Sequence, residues 1–381
     1  MDSLLAYRDQ FPILERCTYL VSHSLGAMPV GAEAQLHDYT NMWRTRGVRA
    51  WEEGWWEMPV TMGGLVGRVL GAEAGTVTMH QNTTLATAIV ASCLEYAPER
   101  NRVVIEDLEF PSIQYLWEAE TRRGAKIVRV ASEDGGVSCP MEKLLAAIDE
   151  RTLIVPFSLV LFRTATIQDA AAIVKRAHSV GALVLADCYQ ATGTVPFSVT
   201  DLGVDFAVGG SVKWVCGGPG AAYLYVSPRV APRLEPKITG WMADEKPFDF
   251  HVGRVRYRKD AYRFLNGTPS VPALYAAEAG WKIVAEIGAK AIREKSLRQT
   301  GKLIELAGEA GFRLKSPVES ERRGGTVAID VPDGKRVCDE LVRREFLIDY
   351  RPDAGLRVAP HFYTRDDEID LFVRELRQIA K

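Results

Sequence analysis

The chain is expected to fold as an α/β protein, with a large, mostly parallel sheet domain flanked by helices and a smaller C-terminal α+β domain. Three observations predict this. Short apolar runs alternate with longer amphipathic ones through the middle of the 381 residues. Those short runs are continuously apolar, as strands are when helices cover both sheet faces. After residue 250 the pattern changes to a long helical stretch and a few short strands.

In chain order, RVVIED (102–107), KIVRV (126–130), TLIVPFS (152–158), ALVLAD (182–187), FAVGG (206–210) and AAYLYV (221–226) read as strands. QDAAAIVKRAHSVG (168–181) reads as a helix that stops on a glycine, the residue best suited to a C-terminal cap. Beyond GWMADEKPFDF (240–250), residues 271–311 read as one long helix. Strands GTVAIDV (325–331) and LRVAP (356–360) follow, then a final helix. Thr364 and Asp367 have capping-box spacing at its start, and Ile369, Phe372, Val373 and Leu376 share one face. The expected organisation is an N-terminal segment with site loops (1–54), a large α/β domain (55–265), and a connecting helix with the small domain (266–381).

Lysine plus arginine (47) nearly balance aspartate plus glutamate (49), giving a net charge of −2. That balance argues against a nucleic-acid or membrane partner. No apolar run approaches the roughly 20 residues of a membrane helix, and MDSLLAYRDQFPIL lacks the signature of a signal peptide. The cysteines at 17, 93, 139, 188, 216 and 338 are scattered without a CxxC pair. They read as reduced thiols in a cytoplasmic protein, with neither disulfides nor a metal site.

GGSVKWVCGGPG (209–220) places Lys213 among glycines in a stretch that reads as buried sheet and tight turn. A lysine is rarely buried unless it is paired or used chemically. Asp187 ends an apolar strand, where open α/β sheets bind ligands. Thr83 and Thr84 begin an apolar helix, whose N–H groups, dipole and hydroxyls suit a phosphate. Phe110 lies between a strand and a proline, placed to cover a flat ring, and Arg357 lies in an apolar strand, where its fork suits a carboxylate. Each has a plain structural use as well: capping for the threonines and Asp187, core for Phe110, an ion pair for Arg357. An amine, a buried carboxylate, a phosphate cradle and an aromatic plate together point to pyridoxal 5′-phosphate, PLP.

These residues resemble the kynureninase branch of the fold-type I PLP-dependent enzymes, close to the class V aminotransferases. The resemblance runs through SHSLGAMP (22–29), GWW and the following MP (54–59), FPS (110–112), GVDFAVGGSVKW with GGPG (203–220), FLNGTP (264–269) and LRVAPHFYT (356–364). It implies a PLP enzyme with a fold-type I architecture that labilises a bond at Cα of an amino acid. Lys213 would be the Schiff-base lysine and proton shuttle, Asp187 would keep the pyridine nitrogen protonated, and Gln190 would reach the ring hydroxyl or the aldimine. Phe110 would stack on the ring, and Thr83, Thr84 and Ser211 would bind phosphate. Family members are dimers with shared sites, so Trp241 and Thr268 would complete the neighbouring subunit's phosphate site. Arg357 would hold the substrate carboxylate, and Ser24, Glu53 and Arg163 are placed at the substrate side by motif position.

The departures concern the substrate. Kynureninases carry tyrosine before the lysine, where this chain has Val212; their histidine near the GW loop aligns with Glu53; and their GWxGH motif has become GWMAD. Hydrolytic Cβ–Cγ cleavage is the first expectation and class V amino transfer the second. A cysteine desulfurase or β-lyase, or a non-catalytic PLP-binding protein, ranks below these. Cys188 and Cys216 flank the site residues and read as buried thiols, Cys338 as helical. WRTRGVRAWEEGWW (43–56) holds half of the eight tryptophans and reads as dimer interface or pocket wall. His80 and His361 stand near the expected site, whereas His37, His178 and His251 join no constellation.

Overall fold

The six central apolar runs become strands within a residue of their expected limits. In the computed structural model, which describes residues 2–380, the central sheet contains β1 (Val77–His80), β2 (Arg102–Glu106), β3 (Lys126–Val130), β4 (Thr152–Ser158), β5 (Leu183–Asp187), β6 (Phe206–Gly210) and β7 (Ala222–Val226). Their spatial order is β1-β7-β6-β5-β4-β2-β3. β7 is antiparallel to both of its neighbours, and every other pairing is parallel. β1 has no counterpart among the expected strands: it is four residues long and runs almost directly into a helix, leaving no room for a periodic signal.

Alternate residues of each strand feed two cores, because successive side chains point to opposite faces. Val104, Val155, Val184, Ala186 and Ala207 pack with Met62, Leu65 and Val66 of helix Met58–Leu70. Val103, Ile105, Ile154, Leu185, Phe206 and Val208 pack with Ile89, Val90 and Trp117 on the other side. Burial on both faces is why the strands read as unbroken apolar runs. It also aligns their carboxyl ends into one rim.

A second sheet of four antiparallel strands contains Arg313–Leu314, Val327–Asp330, Asp349–Arg351 and Gly355–Val358. The N-terminal segment docks onto this region: Thr18–Tyr19 pairs in parallel with Phe346–Leu347, and the Ala359 N–H donates to the Leu20 carbonyl at 2.8 Å. Residues 20–27 thereby reach the central rim from the small sheet.

Two expectations are corrected. The single long helix is two, Val271–Ile287 and Ala289–Glu309, broken at Gly288. Its φ of +81° and ψ of 140° are open to glycine and strained for other residues. The final helix, Asp366–Ile379, starts one step later than the Thr364/Asp367 spacing implied. The Arg365 N–H donates to Glu368 Oε2 at 2.7 Å, while Thr364 Oγ1 accepts from the His361 N–H at 2.9 Å.

Candidate active site

The carboxyl ends of β4 and β5, the loop after β6, and the helix Thr83–Ser92 that follows β1 surround a cavity of about 270 Å³. Thr83, Thr84, Phe110, Ser158, Asp187, Tyr189, Gln190 and Lys213 line it. It lies where open α/β sheets place their ligands.

Lys213 stands on a closed loop between β6 and β7. The Ser211 N–H donates to the Ala221 carbonyl at 2.9 Å, and the Cys216 N–H to the Lys213 carbonyl at 2.9 Å. His361 Nε2 donates to the Trp214 carbonyl at 2.7 Å, and the Gly26 N–H to the Val212 carbonyl at 2.8 Å. A Cβ on Gly26 would lie 2.2 Å from the Lys213 carbonyl oxygen, so only glycine lets the N-terminal segment pack here. The amine lies 4.3 Å from the centroid of the Tyr189 ring and 5.5 Å from that of Phe110. It has no hydrogen-bond acceptor among the described residues. Burial lowers its pKa to about 8, with Asp187 opposing the shift and Arg357 adding to it.

Asp187 closes β5 as a buried carboxylate. Its Oδ1 accepts the Tyr189 N–H at 2.8 Å, and no lysine or arginine pairs with it among the described residues. Burial raises its pKa, outweighing the Tyr189 hydrogen bond and the attraction of Lys213. Such a group calls for a cation. At the other end of the cavity Asn82 caps its helix by accepting from the Leu85 N–H at 2.9 Å. The Thr83 and Thr84 N–H groups are thereby left without acceptors among the described residues, at the positive end of a helix dipole.

An unpaired buried carboxylate, a free amine of lowered pKa, an open helix N-terminus and the Phe110 ring meet the requirements of a flat, cationic, phosphorylated aldehyde. PLP fits this set: Asp187 would hold its ring nitrogen, Lys213 its aldehyde carbon, Thr83 and Thr84 its phosphate, and Phe110 its face. When bound, it withdraws electrons from the α-carbon of an attached amino acid.

Several residues sit differently from expectation. Gln190 lines the cavity, but its amide is engaged: Nε2 donates to the His23 carbonyl at 3.1 Å and Oε1 accepts from Trp214 Nε1 at 3.0 Å. Ser211 does not face the cavity. It is fully buried, donating to the Ala221 carbonyl at 2.7 Å and accepting from Trp281 Nε1 at 2.8 Å. Glu53 is on the surface, bonded to Arg46, which holds its carboxyl below the usual range.

Arg357 is buried behind the cavity wall. Its Nε and Nη2 grip Asp349 at 2.8 and 2.5 Å, and Nη1 donates to the Phe162 carbonyl at 2.7 Å. Arg163 lies 5.4 Å from the Phe162 ring centroid and 4.0 Å from Asp353. Ser24 is half-buried on the segment leading to Gly26. Trp241 packs edge-on against Trp56 at 5.1 Å, and Thr268 is exposed; neither lines this chain's own cavity. His80 bonds Thr78 Oγ1 at 2.9 Å, and burial lowers its pKa to about 4. His361, lowered to about 3 by burial, serves as a strut for the lysine loop.

Sequence reasoning passed over three groups beside the cavity. Tyr189 is one. Asp349 is another, binding His23 Nε2 at 3.0 Å as well as Arg357. The third is a pair of buried carboxyls, Glu106 and Glu109. Glu109 accepts the Ser158 N–H at 2.7 Å and bonds the Ser158 hydroxyl; Glu106 bonds Gln168. Burial first, and repulsion from neighbouring carboxylates (Asp107 on Glu106, Glu106 and Asp187 on Glu109), raise their pKa values to about 7 and about 8.

A raised carboxyl pKa means that the folded state holds protons the unfolded chain has released. The resulting stability is complete below the unfolded value and is lost as pH rises through the folded one. The cofactor-free protein should therefore melt lower by several degrees at pH 9 than at pH 6. Glu106→Gln/Glu109→Gln should flatten that slope; an unchanged slope would show that these carboxyls are already ionised.

Residues 62–344 match the family model described as Aminotransferase class-V. Among curated relatives, a kynureninase of Pseudomonas fluorescens is 30% identical over 370 residues, covering 93% of this chain and 87% of its own. A kynureninase of Geobacillus thermodenitrificans is 29% identical over 399 residues, with 100% and 92% covered. An uncharacterized aminotransferase of Bacillus subtilis, YcbU, is 29% identical over 370 residues, with 97% and 96% covered. Among solved structures, the apo cysteine desulfurase of Thermococcus onnurineus superposes with a TM-score of 0.88 at 19% identity, covering 98% of this chain and 97% of its own. At that identity the likeness speaks to the fold alone.

Proposed function

The chain belongs to the class V aminotransferase family of PLP-dependent enzymes, and on that premise we propose that it binds an amino acid beside Lys213 and activates a bond at its α-carbon as kynureninase-like enzymes do. The observation that carries this reading is the pairing of two mismatched groups in one cavity: an amine at about 8 without an acceptor, and a buried carboxylate without a cation. Neither is stable in isolation, and one ligand satisfies both. Lys213 would be the base that moves a proton at the α-carbon of a bound amino acid. Phe110 and Phe162, edge-on at 5.1 Å, line one side of the cavity. Arg357, fixed by Asp349 and bonded to the carbonyl of Phe162 in the cavity wall, is the candidate for holding a substrate carboxylate. Ser24 and Arg163 are the further substrate-side candidates.

The kynureninase relatives favour hydrolytic Cβ–Cγ cleavage. Amino transfer is the second reading, favoured by Val212, which offers no hydroxyl beside the lysine, and by the similarity to YcbU. A persulfide-carrying role for cysteine has no support: no cysteine lines the cavity, and burial raises the thiol pKa at all six, Cys17, Cys93, Cys139, Cys188, Cys216 and Cys338. Thiolates, not thiols, carry sulfur. A homodimer is supported by the exposed apolar side chains Trp43, Val48, Phe248, Phe250 and Val252. In that dimer Trp241 and Thr268 would serve the partner's phosphate site. Among the described residues no helix is long and apolar enough to cross a membrane.

The deciding experiment incubates PLP-loaded enzyme with kynurenine and with a panel of amino acids, with and without pyruvate or 2-oxoglutarate. Anthranilate release is the expected result for hydrolysis. Conversion of the cofactor to its amine form, reversed by the oxo acid, would replace that reading with amino transfer.

A further inference from the structure

We propose that Tyr189 is a further functional residue of this site: its ring steadies the Lys213 amine, and its hydroxyl donates a hydrogen bond to an anionic oxygen of the bound cofactor. The inference rests on the PLP reading above and on four observations. The Tyr189 N–H is bound by Asp187 Oδ1 at 2.8 Å, which fixes the residue to the carboxylate it follows. Its ring lies 4.3 Å from Lys213 Nζ, nearer than the Phe110 ring at 5.5 Å, within the range of a cation–π contact.

The third observation places the hydroxyl. A Cβ on Gly210 would meet the Tyr189 hydroxyl oxygen at 2.5 Å, so the phenol's tip rests on a glycine at the end of β6, three residues before the lysine. The fourth is that this hydroxyl has no partner among the described residues. Four buried phenols are matched: Tyr223 with Thr192 at 2.7 Å, Tyr363 with Ser22 at 2.6 Å, Tyr19 with the Leu25 carbonyl at 2.8 Å, and Tyr262 with Glu57. A phenol that lines the cavity with its donor unspent is set up for a ligand. Burial, with repulsion from Asp187, raises its pKa, so it stays protonated and acts as a donor. Val212 supplies no hydroxyl at the adjoining position, and Tyr189 does.

The test titrates the apo-protein with PLP and with unphosphorylated pyridoxal, following absorbance and fluorescence. Tyr189→Phe keeps the ring and should melt like the parent. Its affinity for PLP should fall roughly ten- to hundredfold, the scale of a hydrogen bond to a charged group. A loss confined to PLP assigns the hydroxyl to the phosphate, and an equal loss with pyridoxal assigns it to the ring oxygen. Unchanged affinity for both would overturn the proposal. Gly210→Ala, whose methyl displaces the phenol, should reproduce the loss.

The ring's part is read separately, from the pH dependence of PLP capture by the apo-protein. Tyr189→Leu should lower the midpoint set by Lys213 by about half a unit to one unit, with Tyr189→Phe unmoved; an unmoved midpoint in Tyr189→Leu would overturn that part. Failure of the parent protein to form a borohydride-fixable adduct would overturn the cofactor reading itself, a result distinct from either.

Discussion

Lys213→Ala leaves a protein that folds but no longer fixes PLP on borohydride reduction, and its turnover falls roughly 10²- to 10⁴-fold, the range of a lost acid–base group. The parent should yield a single reduced lysine, at 213. The reason is local chemistry: an amine attacks an aldehyde only when neutral, and burial brings this one to about 8, below the usual lysine value of 10.5. Capture by the apo-protein should therefore rise with pH and level off above about 8. A plateau delayed beyond pH 10, or a cofactor still fixed in Lys213→Ala, would assign the chemistry to another lysine.

Asp187→Asn is expected to move two measurements in opposite directions. Asparagine can still accept the Tyr189 N–H, so the turn is kept while the charge is lost. The apo-protein should melt slightly higher, because a buried carboxyl without a cation has been replaced by a neutral amide. Turnover should fall about 10²- to 10³-fold, the cost of removing one preorganised electrostatic partner. A carboxylate kept for stability would show the reverse, a lower melting temperature with activity retained. The contrast separates a functional residue from a structural one in a single variant.

Much of this was legible in the sequence, and particular residues show why the rest was not. Apolar strands buried on both faces announce themselves, and Asp187 and Lys213 stood out because charged residues at the ends of such strands need a reason to be there. Gly288 reads as an ordinary helical glycine until its φ is known. Asp349 lies eight residues from Arg357 in sequence, yet directly opposite it in an antiparallel pair. Asp349–Arg351 is only three residues long, so that register carried no signal. Ser211 was placed by motif, but it turned inward because Trp281, from a helix seventy residues on, supplies its hydrogen bond. Tyr189 was invisible for a similar reason: its role depends on a glycine in the neighbouring strand.

The reversed strand β7 has one further consequence. Because it returns beside β6, the lysine rides on a short closed ring stitched at Ser211 and Ala221, independent of the long crossovers that carry the other site residues. The substrate-side candidates have a different origin, in segments 22–24, 162–163 and 349–357; Phe162 lines the cavity, and Arg357 is tied to it through the Phe162 carbonyl. Divergence among related enzymes can therefore proceed by changing those segments and the position beside the lysine, Val212 here, while the closure of the ring is kept. Directed evolution toward a new amino acid should draw its productive substitutions from those three segments and from Val212, and variants at Lys213 should be lost from the selection.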